Sequence, residues 1–188
     1  MPETRFHDLP DGRRLAYRLT PGTGPALVFL PGYMSDMAGS KAAAVFAWAQ
    51  EQGRACLLLD YSGCGASAGD FADGTLSRWR EEVLALIAAH CPGPVVLIGS
   101  SMGGWLMLLA ALAMPDRIHA LVGIAAAPDF TEWGTTDDEK AELLAGRTVW
   151  EANPYGPEPT PTASYSPRSK RSNSPPPRRP PASRSCAA

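Results

Sequence analysis

Histidine is scarce in this sequence: three in 188 residues, at His7, His90 and His119, and none follows position 119. Cysteine is sparse too. Cys56, Cys64, Cys91 and Cys186 form no C-x-x-C pair and no metal-ligand spacing, which argues against a disulfide framework or a zinc site. All four read as free thiols of a reducing compartment, with Cys56 packing as a small hydrophobe inside an apolar run. No apolar run approaches the roughly 20 residues that a membrane helix needs. Met1–Leu19 lacks the apolar core of a secretory signal. The formal net charge is only −2, so neither nucleic acid nor an anionic membrane is an expected partner. The expectation is a soluble cytoplasmic protein without metal or cofactor, its oligomeric state open.

The small net charge hides a break. Residues 1–153 hold eleven basic and eighteen acidic side chains, and residues 154–188 hold six and one. Ten of the nineteen prolines fall in those last 35 residues, which contain no Leu, Ile, Val, Met, Phe or Trp. Such a composition cannot bury enough apolar surface to offset the entropy of ordering. The expected organisation is therefore a folded domain over 1–153 and a disordered Pro/Arg/Ser-rich tail over 154–188. Arg/Pro/Ser/Ala enrichment is also what an out-of-frame reading of GC-rich DNA produces, with the shift near 160–162. A genuine disordered interaction segment is the alternative.

What is present is an alternation of short apolar runs and helical periodicity. Residues 14–20 read as a strand after the Asp11-Gly12 turn. Four fully apolar strands are expected at Ala26–Leu30, Ala55–Leu59, Pro94–Ile98 and Ile118–Ile124. Between them, Ser40 starts an alanine-rich helix that stops at Gly53. Thr75 caps a second helix whose Leu76, Trp79, Val83, Leu86 and Ile87 share one face. A third helix spans Met102–Met114. Apolar strands alternating with helices predict a doubly wound, mainly parallel α/β sheet covered on both faces. A dinucleotide-binding fold would want G-x-G-x-x-G after the first strand, and Leu30-Pro31-Gly32-Tyr33 does not supply it.

One motif carries chemistry. Gly99-Ser100-Ser101-Met102-Gly103 fits G-x-S-x-G and lies directly between a strand and a helix, the setting in which that pattern presents a nucleophilic serine. Ser101 is the candidate nucleophile. Ser100 competes but lacks the flanking glycine spacing. Gly99 and Gly103 remove side chains that would collide across so sharp a turn. The Met102 amide, at the start of the following helix, and the Tyr33 amide, in the loop after the first apolar strand, are the candidate oxyanion donors.

The runs FLPGYMSDMAGSKA, DYSGCGASAG, TLSRWREEV and LIGSSMGGWLMLLAA together resemble the palmitoyl-protein thioesterase subfamily of α/β-hydrolases, a mitochondrial enzyme and its bacterial relatives, some of which act as acyl-glucuronide esterases. The resemblance spans about residues 10–153. It implies an α/β-hydrolase fold lacking its final strands, and hydrolysis of a carboxylic thioester or ester of a small molecule or acylated protein through an acyl-Ser101 intermediate. Asp60 and Ser62 of DYSG are then read as braces of a turn. In this fold the chain order is Ser, acid, His. The acid comes one strand after Ile118–Ile124, so the triad acid and histidine are expected to be missing here, with Asp129 a weak acid candidate. His90 and His119 fall at the opposite end of the strands from Ser101. The chain is therefore expected to be inactive as it stands; the alternative is a non-catalytic remnant or binding protein.

Overall fold

A computed structural model describes residues 3–130, 135–145, 147, 149–151, 157 and 159–161. Its centre is a six-stranded sheet in the order β1-β2-β4-β3-β5-β6. The strands are β1 (Arg5–Asp8), β2 (Arg14–Thr20), β3 (Thr23–Leu30), β4 (Arg54–Leu59), β5 (Val95–Ser100) and β6 (Ile118–Ile124). β4, β3, β5 and β6 run parallel, while β1 and β2 join antiparallel. The four parallel strands are the four apolar runs of the sequence. Parallel strands need crossovers, and three helices make them: α1 (Ser40–Glu51), α2 (Leu76–His90) and α3 (Met102–Ala113).

Side-chain alternation divides the core in two. Val28 and Leu30, Leu57 and Leu59, and Val95 and Leu97 meet α2 and α3 on one face. Leu27 and Phe29, Cys56 and Leu58, and Val96 and Ile98 meet α1 on the other. Strands apolar on both faces are what a sheet sandwiched between helices requires. The expected face of α2 is buried as read, with one addition, Glu82. Thr75 caps α2 by accepting the Arg78 amide at 3.1 Å. α1 differs: its N-cap is Gly39, and Ser40 is the first helical residue, so no side chain caps this helix. Gly53 ends it at φ +60°, the left-handed position that glycine occupies after a helix.

β6 is the outer strand of the sheet among the described residues. Val95 pairs with Ile118, but Val96 pairs with Ala120. His119 is therefore the extra residue of a bulge, which reverses the facing of every later side chain. Leu121 and Val122 remain 41% and 44% exposed.

The sequence reading did not include β1, the helix α4 (Asp137–Leu144), or the short antiparallel pair β7 (Trp150–Glu151) and β8 (Thr160–Pro161). Four residues lack a periodicity to read, and α4 carries one buried residue, Leu143. The expected tail, with Cys186, lies outside the described residues apart from Pro157, Pro159, Thr160 and Pro161. Cys56, Cys64 and Cys91 are buried free thiols.

Candidate active site

β5 ends at Ser100 and α3 begins at Met102, so Ser101 alone turns the chain from strand to helix. Its backbone sits at φ 52°, ψ −121°, a region that costs an L residue about 1–3 kcal/mol unless its surroundings impose it. They do. The Ser101 amide donates to the Ile124 carbonyl at 3.1 Å, and its carbonyl accepts from Gly104 at 2.8 Å and Ala127 at 3.1 Å. A Cβ at Gly99 would overlap the Gly103 carbonyl, and one at Gly103 would overlap the Leu30 carbonyl. β3, β5 and α3 thus close on one point. Gly104 belongs to the same joint, since a Cβ there would strike Ala126; the five-residue pattern does not reach it.

This geometry separates the two serines. Ser101 is exposed, whereas Ser100 is only 8% exposed. Ser100 shares its sheet face with Val96 and Ile98, on the α1 side, while Ser101 projects from the turn.

The second wall is the loop after β3. A Cβ on Gly32 would lie 3.2 Å from that of Ser101, so the loop passes directly against the serine. The turn after β4 holds it there. The Tyr61 hydroxyl donates to the Pro31 carbonyl at 3.1 Å, and Asp60 Oδ1 accepts the Met37 amide at 2.6 Å. Asp60 Oδ2 also accepts the Ala66 amide at 2.8 Å. Burial raises the Asp60 carboxyl above its ordinary pKa, and the two amide hydrogen bonds oppose that rise. Asp60 is therefore a brace. So is Ser62, whose amide and hydroxyl donate to the fully buried Glu82 carboxylate at 2.9 and 2.7 Å. Arg13 Nη1 balances that carboxylate at 2.7 Å.

Met102 is the first residue of α3. Its amide has no intrahelical acceptor and lies at the positive end of the helix dipole. Tyr33 follows Gly32 in the facing loop. Its ring meets Phe71 and Phe130 at centroid distances of 5.3 and 6.1 Å, and Trp105 meets Phe130 at 5.8 Å. Trp105 lies one helical turn beyond Ser101, and Phe130 three residues beyond the Ala127 that bonds to Ser101. An aromatic wall thus flanks the serine on the α2–α3 side.

The histidines stand elsewhere. His90 stacks on Tyr17 at 4.3 Å and meets His7 edge-on at 5.2 Å, and burial lowers its pKa. It closes α2, just before the N-terminal end of β5, a strand length of roughly 20 Å from Ser101. His119 sits at the corresponding end of β6. Asp129, exposed and at φ 58°, lies in the loop after β6, two residues beyond Ala127.

A serine held at positive φ between a parallel strand and a helix, on this strand order, defines the α/β-hydrolase class, and the profile of the alpha/beta hydrolase family matches residues 27–185. The chain belongs to that family. It is 42% identical over 147 residues to the human mitochondrial palmitoyl-protein thioesterase ABHD10, covering 77% of this chain and 48% of the relative. Among solved structures, a putative hydrolase from Agrobacterium vitis S4 is 36% identical with a TM-score of 0.75, over 87% of this chain and 69% of that one. Mouse alpha/beta hydrolase domain-containing protein 10 is 37% identical with a TM-score of 0.71, over 80% and 61%. The chain spans about half the length of the human relative.

One expectation is corrected here. The palmitoyl-protein thioesterase relatives are named as mitochondrial proteins, which points away from the cytoplasm. Lack of an apolar signal region speaks only against secretory signals, because mitochondrial targeting segments are amphipathic rather than apolar. No described helix is long and apolar enough to cross a membrane.

Proposed function

We propose that this chain carries the acyl-accepting serine of an enzyme that hydrolyses carboxylic thioesters or esters. Ser101 Oγ attacks the acyl carbonyl carbon, its proton passes to a base, and the thiolate or alkoxide leaves protonated. Water then releases the acid from acyl-Ser101. The Met102 and Tyr33 amides bind the oxyanion, and Gly99 and Gly103 permit the turn. The observation that carries this reading is the positive φ of Ser101, held by backbone bonds from β6, α3 and the loop after β6. The aromatic wall of Tyr33, Phe71, Trp105 and Phe130 suits an apolar acyl chain. The relatives named palmitoyl-protein thioesterase support an acylated protein as substrate; acyl glucuronides are the second class.

The three histidines do not serve as the base, being placed away from the turn, and Asp129 has no imidazole to orient. The 188 residues by themselves therefore act slowly, with the acceleration of roughly 10³–10⁴ over water that binding and an oxyanion hole retain without a triad. The same observation favours a second reading, a non-catalytic binding protein. A fluorophosphonate label and a nitrophenyl ester assay decide between them. Without a base labelling is expected to be slow; slow labelling lost in Ser101→Ala supports the first, and a folded chain still unlabelled after prolonged exposure overturns it. The composition break near Asn153 supports a domain limited to 1–153 with 154–188 read in a shifted frame, and the nucleotide sequence tests that division.

A further inference from the structure

Among the described residues, four that are not glycine hold a positive φ: Met34 at 53°, Ser101 at 52°, Ala125 at 46° and Asp129 at 58°. Side chains rarely adopt this backbone, and where several do so together the surrounding structure imposes it. All four flank one place. Met34 follows Tyr33 in the loop after β3, and Ala125 and Asp129 bracket the loop after β6. Asp129 tolerates the conformation better than Met34 or Ala125 does. The loop after β6 is tied to Ser101 at its start, through the Ile124 carbonyl and the Ala127 amide, each at 3.1 Å. What it delivers is Phe130, the residue after Asp129.

Phe130 is half-buried and meets two rings edge-on, Tyr33 at 6.1 Å and Trp105 at 5.8 Å between centroids. It thereby joins the loop after β3 to α3, the two elements that stand on either side of Ser101. Tyr33 continues the run to Phe71 at 5.3 Å. All four rings pack against the core beneath them, yet each stays only half-buried. Contiguous apolar surface left open beside a reactive group marks a place for a ligand. The four side chains offer no ammonium, guanidinium or carboxylate to a headgroup, so what they recognise is hydrocarbon. Without Phe130 the wall falls into two separate pieces, one on the loop after β3 and one on α3. We infer that Phe130 is a specificity-determining residue: it grips the methylenes of a long linear acyl chain whose carbonyl lies at Ser101, and so favours long acyl groups over short ones. The place of that carbonyl rests on the proposed function; the grip on a hydrocarbon chain does not.

Two measurements on the full 188-residue chain test this. In the first, fluorophosphonates bearing a methyl or a dodecyl chain react with Ser101, and the ratio of their rates is taken. In the second, dodecanoate, kept below its micelle concentration, is titrated onto Ser101→Ala and followed by the Trp105 indole resonance, with acetate as the short control. The dodecyl probe is expected to react faster than the methyl probe. Phe130→Ala should cut that ratio at least about tenfold, the contact of about two methylenes at roughly fourfold each, and weaken dodecanoate binding to a similar degree. A merely structural role would slow both probes alike and leave the ratio where it was. Phe130→Leu, which keeps apolar bulk and guards against a folding defect, should lose less than Phe130→Ala in both measurements. Where Ser101 labels, the ratio decides: a ratio unchanged in Phe130→Ala overturns the inference, and so does one that rises, which would make Phe130 a plug. Where Ser101 does not label, dodecanoate decides: binding weakened in Phe130→Ala supports the inference while the proposed function alone falls, and binding that is absent or indifferent to Phe130 overturns the inference.

Discussion

The Tyr61 hydroxyl donates to the Pro31 carbonyl at 3.1 Å, from a side chain that is itself fully buried. Through this bond the turn after β4 fixes the loop that faces Ser101. Tyr61→Phe leaves the Pro31 carbonyl short of a donor in a buried place, at a cost of about 1–3 kcal/mol. We expect a lower urea midpoint, and slower fluorophosphonate labelling of Ser101 because the loop that faces it loosens. Equal labelling rates in the two proteins would separate that bond from the site.

Glu82 is the most exacting brace. Its carboxylate is fully buried and takes both Ser62 donors and Arg13. Removing one partner of a buried ion pair strands the other, typically at 3–5 kcal/mol. Arg13 also meets Asp11 at 2.7 Å, which softens the loss. Glu82→Leu is expected to destabilise by about 2–4 kcal/mol on that basis, read by chemical denaturation. A change below the error of the midpoint would mean that the network is dispensable.

The turn at Ser101 predicts a contrast between two glycines. Gly103→Ala drives a methyl group into the Leu30 and Pro31 carbonyls, backbone atoms that cannot step aside, so at least the roughly 1–3 kcal/mol of overpacking is expected. Gly93→Ala meets nothing within 4 Å and is expected to be neutral or to stabilise by up to about 1 kcal/mol through the unfolded chain. Thermal unfolding of the pair checks this; equal melting temperatures would refute it.

Burial raises the Cys56 and Cys64 thiols to about 12 and Cys91 to about 11. A raised thiol pKa keeps the reactive thiolate scarce, on the order of 10⁻³ to 10⁻⁴ of the population at pH 8. In the native chain all three are expected to resist iodoacetamide at that pH and to react once urea unfolds it. Mass mapping of alkylated peptides reads the result, and rapid native labelling of Cys64 would contradict its burial.

β6 bonds to β5 along one side only among the described residues, and Leu121 and Val122 stay half-exposed. No lysine or proline within the strand blunts this edge. Amides of 118–124 are expected to exchange faster than those of β5, and the isolated chain to associate. Slow exchange across 118–125 in a monomer would show the edge to be protected.

Local pattern by itself determined the four parallel strands, the three crossover helices and the place of Ser101 at a strand–helix turn. Apolar runs, a 3.6-residue face and a serine between glycines at a strand–helix junction are short-range signals, written within a few residues of where they act. The α/β-hydrolase fold followed from the same runs. Tertiary structure alone decided the rest. Which serine faces outward depends on the side of β5 that Ser100 occupies, a matter of sheet register. Glu82 is not among the apolar positions that mark the buried face of α2 in the sequence; only the approach of Arg13 and Ser62, remote in sequence, makes its burial tolerable. The bulge at His119 and the approach of Gly32 to Ser101 exist because segments distant along the chain meet there, and no local propensity encodes such a meeting.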